Sequence, residues 1–303
     1  MSLLQLSLAT AAFMGGVVAL TVAYRKQLLA EAAHELALAQ ESREDTRVFN
    51  ERFGSATVQL GHEKSAVRLA GVYAIAGLAD DWLAQRQTCV DVLCAYLRMP
   101  YNPADSPPGG AEVRRTIIRS IADHLRPDSL TSASWAGLTL NFTGALLDSP
   151  NFVNADFRGA AVLFDRAIFI GRRASFYRAR VEGSTLFFRH AKFECNDLSF
   201  EAATIGPKAI LNFEGSEFGP IAFRFTDAKI RDSRISLIEA QLRCTVDTSR
   251  MEISDSVFAH STDWRPPPLI SSYAAVESHD DPWREYGPPR NMGHRVLNPE
   301  PAE

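Results

Sequence analysis

His62-Glu63 is the first pair in this chain with a chemistry to offer. A histidine followed by a glutamate opens the zinc-protease helix, but that motif needs a second histidine four residues after the first. Position 66 is Ala66, so the metal face is incomplete. Asp80-Asp81 brings two carboxylates together, yet at the expected end of a helix, where solvated acids are common. The four cysteines are Cys89, Cys94, Cys195 and Cys244. Cys89 and Cys94 are five apart, outside the CxxC register, and the set has neither the density of a secreted disulfide framework nor zinc spacing. Cys195 and Cys244 fall near expected corners of a repeat. All four read as reduced, structural thiols, which favours the cytoplasm. No glycine-rich phosphate loop or nucleophile elbow appears. There is no ground here to expect an enzyme, a catalytic residue, a cofactor or a metal.

Charge is more informative. Between Arg158 and Phe193 stand eight bases: Arg158, Arg166, Arg172, Arg173, Arg178, Arg180, Arg189 and Lys192. Only Asp165 and Glu182 oppose them there, whereas Glu194 to His260 holds eleven acids against seven bases. The plain reading is solubility. The sharper reading is a basic collar, a candidate contact patch for anionic lipid headgroups or a phosphate-bearing partner. Net charge is −4, too near neutral to imply a nucleic-acid partner.

These groups must be positioned by something. The first 24 residues, "MSLLQLSLATAAFMGGVVALTVAY", carry no charged side chain. At about 1.5 Å per residue, a helix from Leu3 to Tyr24 covers the roughly 30 Å hydrocarbon layer. Arg25 and Lys26 follow at once, which by the positive-inside tendency places the rest of the chain in the cytoplasm. A cleaved signal peptide lacks its basic n-region here, and a buried N-terminal helix is the remaining alternative. The small residues of "MGGVVA" would suit helix–helix contact and self-association. Residues 25–54 read as a solvated helical stalk, rich in Ala, Leu, Glu, Gln and Arg.

Residues 55–127 read as a small helical, HEAT-like module. Phe49, Phe53, Ala56 and Leu60 share one helical face before Gly61. Ser65 is the expected N-cap of the next helix. Thr88 and Asp91 suggest a variant capping box for a helix from Cys89 to Met99. "PYNPADSPPGG" is a loop, and a further helix is expected from Glu112 to Leu125.

From Trp135 the texture changes to a beat. Phe164, Phe176, Phe188, Phe200, Phe213, Phe225 and Leu237 recur at intervals of 12 or 13. Three residues after each stands Ala or Ser, five after an apolar residue, and two before another. Upstream, Phe142, Leu147, Phe152, Phe157 and Val162 are five apart. Residues two apart in extended chain point the same way, so a large and a small residue face the interior together. Twelve is then one five-residue side plus one with a longer corner, and two such units make a four-sided coil of 24. Stacked coils should set Phe164 beside Phe188 and Phe213, and Phe176 beside Phe200 and Phe225.

The units "ADFRG", "ALLDS" and "AKFEC" resemble the pentapeptide-repeat family. The resemblance implies a right-handed quadrilateral β-helix over residues 135–260. The stretch "RFGSATVQLGHEKSAVRLAGVYAIAGLADDW" looks like the helical module that precedes such repeats in many bacterial membrane-anchored proteins. The expected class is therefore α plus all-β solenoid, with a transmembrane helix at 1–24 and a Pro-rich, disordered tail at 261–303. The expected function is a membrane-tethered, non-enzymatic scaffold that presents its solenoid to a cytoplasmic protein. A regulated membrane effector in stress or defence is the alternative. Mimicry of DNA toward a topoisomerase, which some family members practise, needs an acidic surface; from Trp135 to His260, 15 bases match 15 acids.

Overall fold

The computed structural model describes residues 3–106, 108–127, 133–260 and 273–277. Four helices come first: α1 (Leu3–Leu60), α2 (Ser65–Asp81), α3 (Arg86–Arg98) and α4 (Gly110–His124). α1 runs unbroken through the expected boundary at residues 54 and 55. From Gln40 to Arg47 of α1 the side chains are exposed, and Phe49 is the first buried one among the described side chains. Phe49, Ala56 and Leu60 pack with Val72, Ile75 and Ala79 of α2, with the inner faces of α3 and α4 completing the core.

Two expected caps are not made. Ser65 is the first residue of α2, with Lys64 at the cap position and no side-chain bond there. Thr88 lies inside α3, which begins earlier, after a 3₁₀ turn at Leu83–Gln85. Gln87, in the first turn of α3, donates from Nε2 to Asp91 at 2.8 Å and to the Thr139 carbonyl at 2.8 Å.

The chain then winds into a parallel β-solenoid with four walls. The first wall stacks Thr139–Asn141, Ala161–Leu163, Thr185–Phe187, Ile210–Asn212, Arg234–Leu237 and Ser256–His260. The second stacks Leu146–Asp148, Ile168–Ile170, Lys192–Phe193, Glu217–Phe218 and Gln241–Leu242. The third runs from Arg173–Ser175 to Thr245–Asp247, and the fourth from Arg180–Val181 to Glu252–Ser254. Register confirms the coil length: Val162 pairs with Leu186, Leu186 with Leu211 and Leu211 with Ile235.

Three phenylalanine ladders fill the interior. Phe142, Phe164, Phe188 and Phe213 stack at 5.1, 4.9 and 4.6 Å between centroids. Phe152, Phe176, Phe200 and Phe225 stack at 5.4, 4.7 and 5.4 Å. Phe169, Phe193 and Phe218 form a third, at 4.8 and 4.6 Å. The twelve-residue beat announces the first two. The third hides in a column that alternates Phe169, Val181, Phe193, Ile205, Phe218, Ile230. Alternate members belong to opposite walls, so the rings line the second wall and the β-branched residues the fourth. Each buried ring contributes about 1.5–3 kcal/mol, with stacking adding ~0.5–1.5.

The corners are tight turns. Ala167, Ala179, Ala191 and Ala203 donate to the carbonyls of Phe164, Phe176, Phe188 and Phe200 at 3.0–3.1 Å. The third residue of each turn has positive φ, and it is not glycine: Arg166, Arg178, His190 and Ala202 sit at 53° to 56°. Such a side chain costs ~1 kcal/mol or more in this conformation. Ladder bonds and ring burial offset it coil by coil.

Among the described residues no helix is long and apolar enough to cross a membrane. The expected span at 1–24 falls on side chains outside the described residues, except Leu20 and Tyr24. The expected tail differs from a wholly irregular one. Tyr273–Glu277 forms a strand parallel to Ser256–His260 and extends the first wall, since that edge is unpaired and Tyr and Val favour strands. The rest of 261–303 lies outside the described residues.

Candidate functional site

The eight bases of the collar are spread over all four walls. Arg166 and Arg189 stand at the corner between the first and second walls, one coil apart. Lys192 faces out from the second wall, and Arg172 holds the corner after it. Arg173 faces out from the third wall, Arg178 turns the corner to the fourth, and Arg180 and Arg158 belong to the fourth. All except Arg189 are exposed.

Five of the eight are engaged by carboxylates. Arg158 Nε binds both oxygens of Asp156 at 2.9 and 2.8 Å. Arg173 Nη2 lies 2.7 Å from Asp197, Arg189 Nη2 2.5 Å from Asp165, Arg180 Nε 3.8 Å from Glu182, and Lys192 Nζ 3.2 Å from Glu217. Asp156, Asp197 and Glu217 fall outside the basic stretch of sequence. Coil stacking brings Asp197 and Glu217 against it from the next turn, and Asp156 sits two residues before Arg158, so a charge imbalance along the chain is largely cancelled in space. Arg189 also lies over the Phe187 ring at 4.8 Å. Its guanidinium is pushed toward firmer protonation by the Asp165 hydrogen bond, which outweighs its burial.

Arg166, Arg172 and Arg178 have no carboxylate within ion-pair distance among the described residues. Each occupies a different corner. Arg166 and Arg172 flank the second wall, whose lower rungs face solvent with half-buried Leu146, Ile168 and Ile170. Leu146 stacks directly beneath Ile168. These three form a short apolar strip between two free guanidiniums, bordered by Asp148, which lies beneath Ile170 and pairs with Arg115 at 2.7 Å; the sequence signal for it is the unit "AIFIGR" (167–172), whose outward positions are apolar.

The remaining candidates are structural. His62 Nδ1 accepts the Lys64 amide at 3.0 Å within a turn. Burial raises the Cys89 thiol to about 11 and the Cys94 thiol to about 12, which keeps both protonated and poorly nucleophilic. Cys195 is buried and Cys244 half-buried, with both thiols raised by burial and no disulfide formed. Asp80 departs from the solvated acid expected. It accepts from Trp135 Nε1 at 2.9 Å and faces His124 Nε2 at 3.1 Å. The His124 and Trp135 rings stack at 4.0 Å. This cluster ties α2, α4 and the first residue of the solenoid together. Its members are 44 and 55 residues apart, so no local motif could reveal it.

Compared with known proteins, the chain matches no family model, no curated protein and no solved structure. The fold alone defines its class: a helical module joined to a four-walled parallel β-solenoid.

Proposed function

We propose that this chain is a pentapeptide-repeat scaffold of the membrane-tethered kind, which docks a cytoplasmic protein and performs no reaction itself. The observation that carries the reading is the second wall. An apolar strip rimmed by uncommitted arginines has the layout of a protein-docking surface, with a dry centre and a polar rim. The partner it suits is a protein with an apolar ridge bordered by acids. The repeat reading draws support from the pentad spacing of buried residues and the 24- and 25-residue coils.

The tether reading draws on α1. Leu20 and Tyr24 are exposed in the uncharged segment, where a bilayer would cover them, and Leu28, Leu29, Leu36 and Leu38 are exposed beyond it, where a second helix would. The uncharged segment at 1–24 adds to it, and Arg25-Lys26 orients the remainder inward.

Proximity labelling from a C-terminal fusion tests both parts. Wild type should label a reproducible set of cytoplasmic neighbours at the membrane. Ile168→Asp on the second wall should lose the principal one, while Thr204→Asp on the fourth should keep it. Removal of residues 1–24 should release the chain to the soluble fraction. Identical labelling by both wall variants refutes the docking surface, and membrane retention after the deletion refutes the tether.

A further inference from the structure

A second site stands apart from the walls, inside the helical module. A cavity of about 200 Å³ opens between the start of α2, the C-terminal end of α3 and the N-terminus of α4. Arg68, Arg114, Tyr101, Ser106 and Gly110 line it. Two features of this lining are unusual.

The first is charge. Arg68 and Arg114 are only 8% and 6% exposed, and neither forms an ion pair among the described residues. Arg114 spends its guanidinium on the carbonyls of Tyr96, Leu97 and Leu146, with the Tyr101 ring 4.5 Å away. Arg68 Nη1 donates to the carbonyls of His62 and Glu63 at 3.0 and 2.8 Å, and its Nε is buried with no hydrogen-bond partner. The one acid in the first turn of α4, Glu112, is turned away toward Arg115 and Arg119. Burial pushes the Arg114 ionisation down; Tyr101 and Tyr96 oppose it, and no carboxylate does. Buried charge without a counter-ion is costly, and carbonyl oxygens repay only part of it.

The second feature is backbone. α4 begins at Gly110, and its cap position is Gly109, which has no side chain to offer the first amides; the N-terminal end of a helix carries partial positive charge. Gly109 has φ +79°, and a Cβ on Gly110 would collide with Ser106 Oγ. The two glycines let the loop pass against the helix start.

We infer that this cavity binds a small oxyanion of the phosphate-monoester class, held by Arg68, Arg114 and the α4 N-terminus. Its volume falls below the ~300–1,000 Å³ of drug-sized ligand pockets, which suits a phosphate or a small phosphorylated molecule and excludes a dinucleotide. Tyr101 provides a ring against which a short organic portion packs. The competing account makes Arg68 and Arg114 clamps on helix-end carbonyls and nothing more.

Thermal unfolding of the full chain against inorganic phosphate, at fixed ionic strength made up with chloride, separates the two. Binding predicts a saturable rise in Tm with phosphate and none with chloride alone. Arg68→Gln and Gly110→Ala should each weaken the apparent phosphate affinity at least tenfold, while Arg115→Gln, facing Asp148 on the outside, should leave it unchanged. Phosphorus NMR line broadening of the same samples reads binding without unfolding, and carries the test should a variant be too unstable to melt cooperatively. A rise equal in phosphate and chloride overturns the site. Saturable binding retained in both Arg68→Gln and Gly110→Ala overturns its location.

Discussion

The Gln87 side chain exchanges two hydrogen bonds with the Thr139 backbone: Nε2 donates to the carbonyl at 2.8 Å, and Oε1 accepts the amide at 3.0 Å. A single amide thus does what a neighbouring strand would do. The first coil of a solenoid otherwise presents open ladder groups, an invitation to edge-to-edge association. The helical module covers that end around its whole rim. Arg98 donates to the Asn141 carbonyl at 2.8 Å on the first wall, and Arg114 to Leu146 at 3.3 Å on the second. Arg126 Nε reaches Val153 at 2.9 Å beyond the third, and the Asp156 amide bonds Leu125 at 2.7 Å on the fourth. Repeat stacks need such terminal caps for solubility.

Gln87→Ala should therefore leave a donor and an acceptor on Thr139 without partners. The expected loss is about 1–3 kcal/mol, measured by urea denaturation. Amide exchange should speed up first in residues 139–141, and unchanged protection there would rule out the capping role.

Phe188 is the most connected ring of the stack. It lies 4.9 Å from Phe164 and 4.6 Å from Phe213, with edge contacts to Phe176 and Phe200. Phe188→Ala should cost ~3–5 kcal/mol. Phe225, nearer the end of its ladder and 6% exposed, should cost less on the same change. A comparison of denaturation midpoints decides it, and equal losses would contradict the nearest-neighbour picture.

Corner residues offer a test of opposite sign. Arg178 holds φ at 53° and has no ion pair among the described residues, so Arg178→Gly should stabilise the fold by up to ~1 kcal/mol. Gly215 occupies the same turn position at φ 62°, where an added Cβ would run into the His190 ring. Gly215→Ala should destabilise by ~1 kcal/mol or more. Melting temperatures that move the same way would refute the turn assignment.

The residues show why part of this is legible in the sequence and part is not. Ladders on walls one coil apart print a period into the chain, and Phe164, Phe188 and Phe213 follow it. The positive-φ corners print nothing, because Arg166, His190 and Glu239 are poor indicators of a left-handed turn. The basic stretch misleads for a related reason: Arg173 is neutralised by Asp197 and Lys192 by Glu217, each a full coil ahead. The Arg68–Arg114 cavity leaves no local trace, because its two cations are far apart in sequence and line one cavity only through the packing of α2 and α4.

The buried thiols give the fold an alkaline limit. Burial holds Cys89 at about 11 and Cys94 at about 12 in the folded chain, against ~8.5 for an unfolded thiol. With both pKa values raised on folding, the unfolded state loses its protons first. Stability from this source is complete below pH ~8.5 and falls as pH climbs through ~9 toward the folded values. Unfolding free energy measured by urea from pH ~7 to ~10.5 should be level to about 8.5 and then decline. Cys94→Ala should flatten part of that decline, even though the smaller side chain lowers stability at neutral pH. The folded chain should also resist a thiol-reactive disulfide reagent at Cys89 and Cys94 at pH ~8, releasing colour from these two only as it unfolds. Rapid modification of either in the native state would show that the α3 face is not buried against the rest of the core.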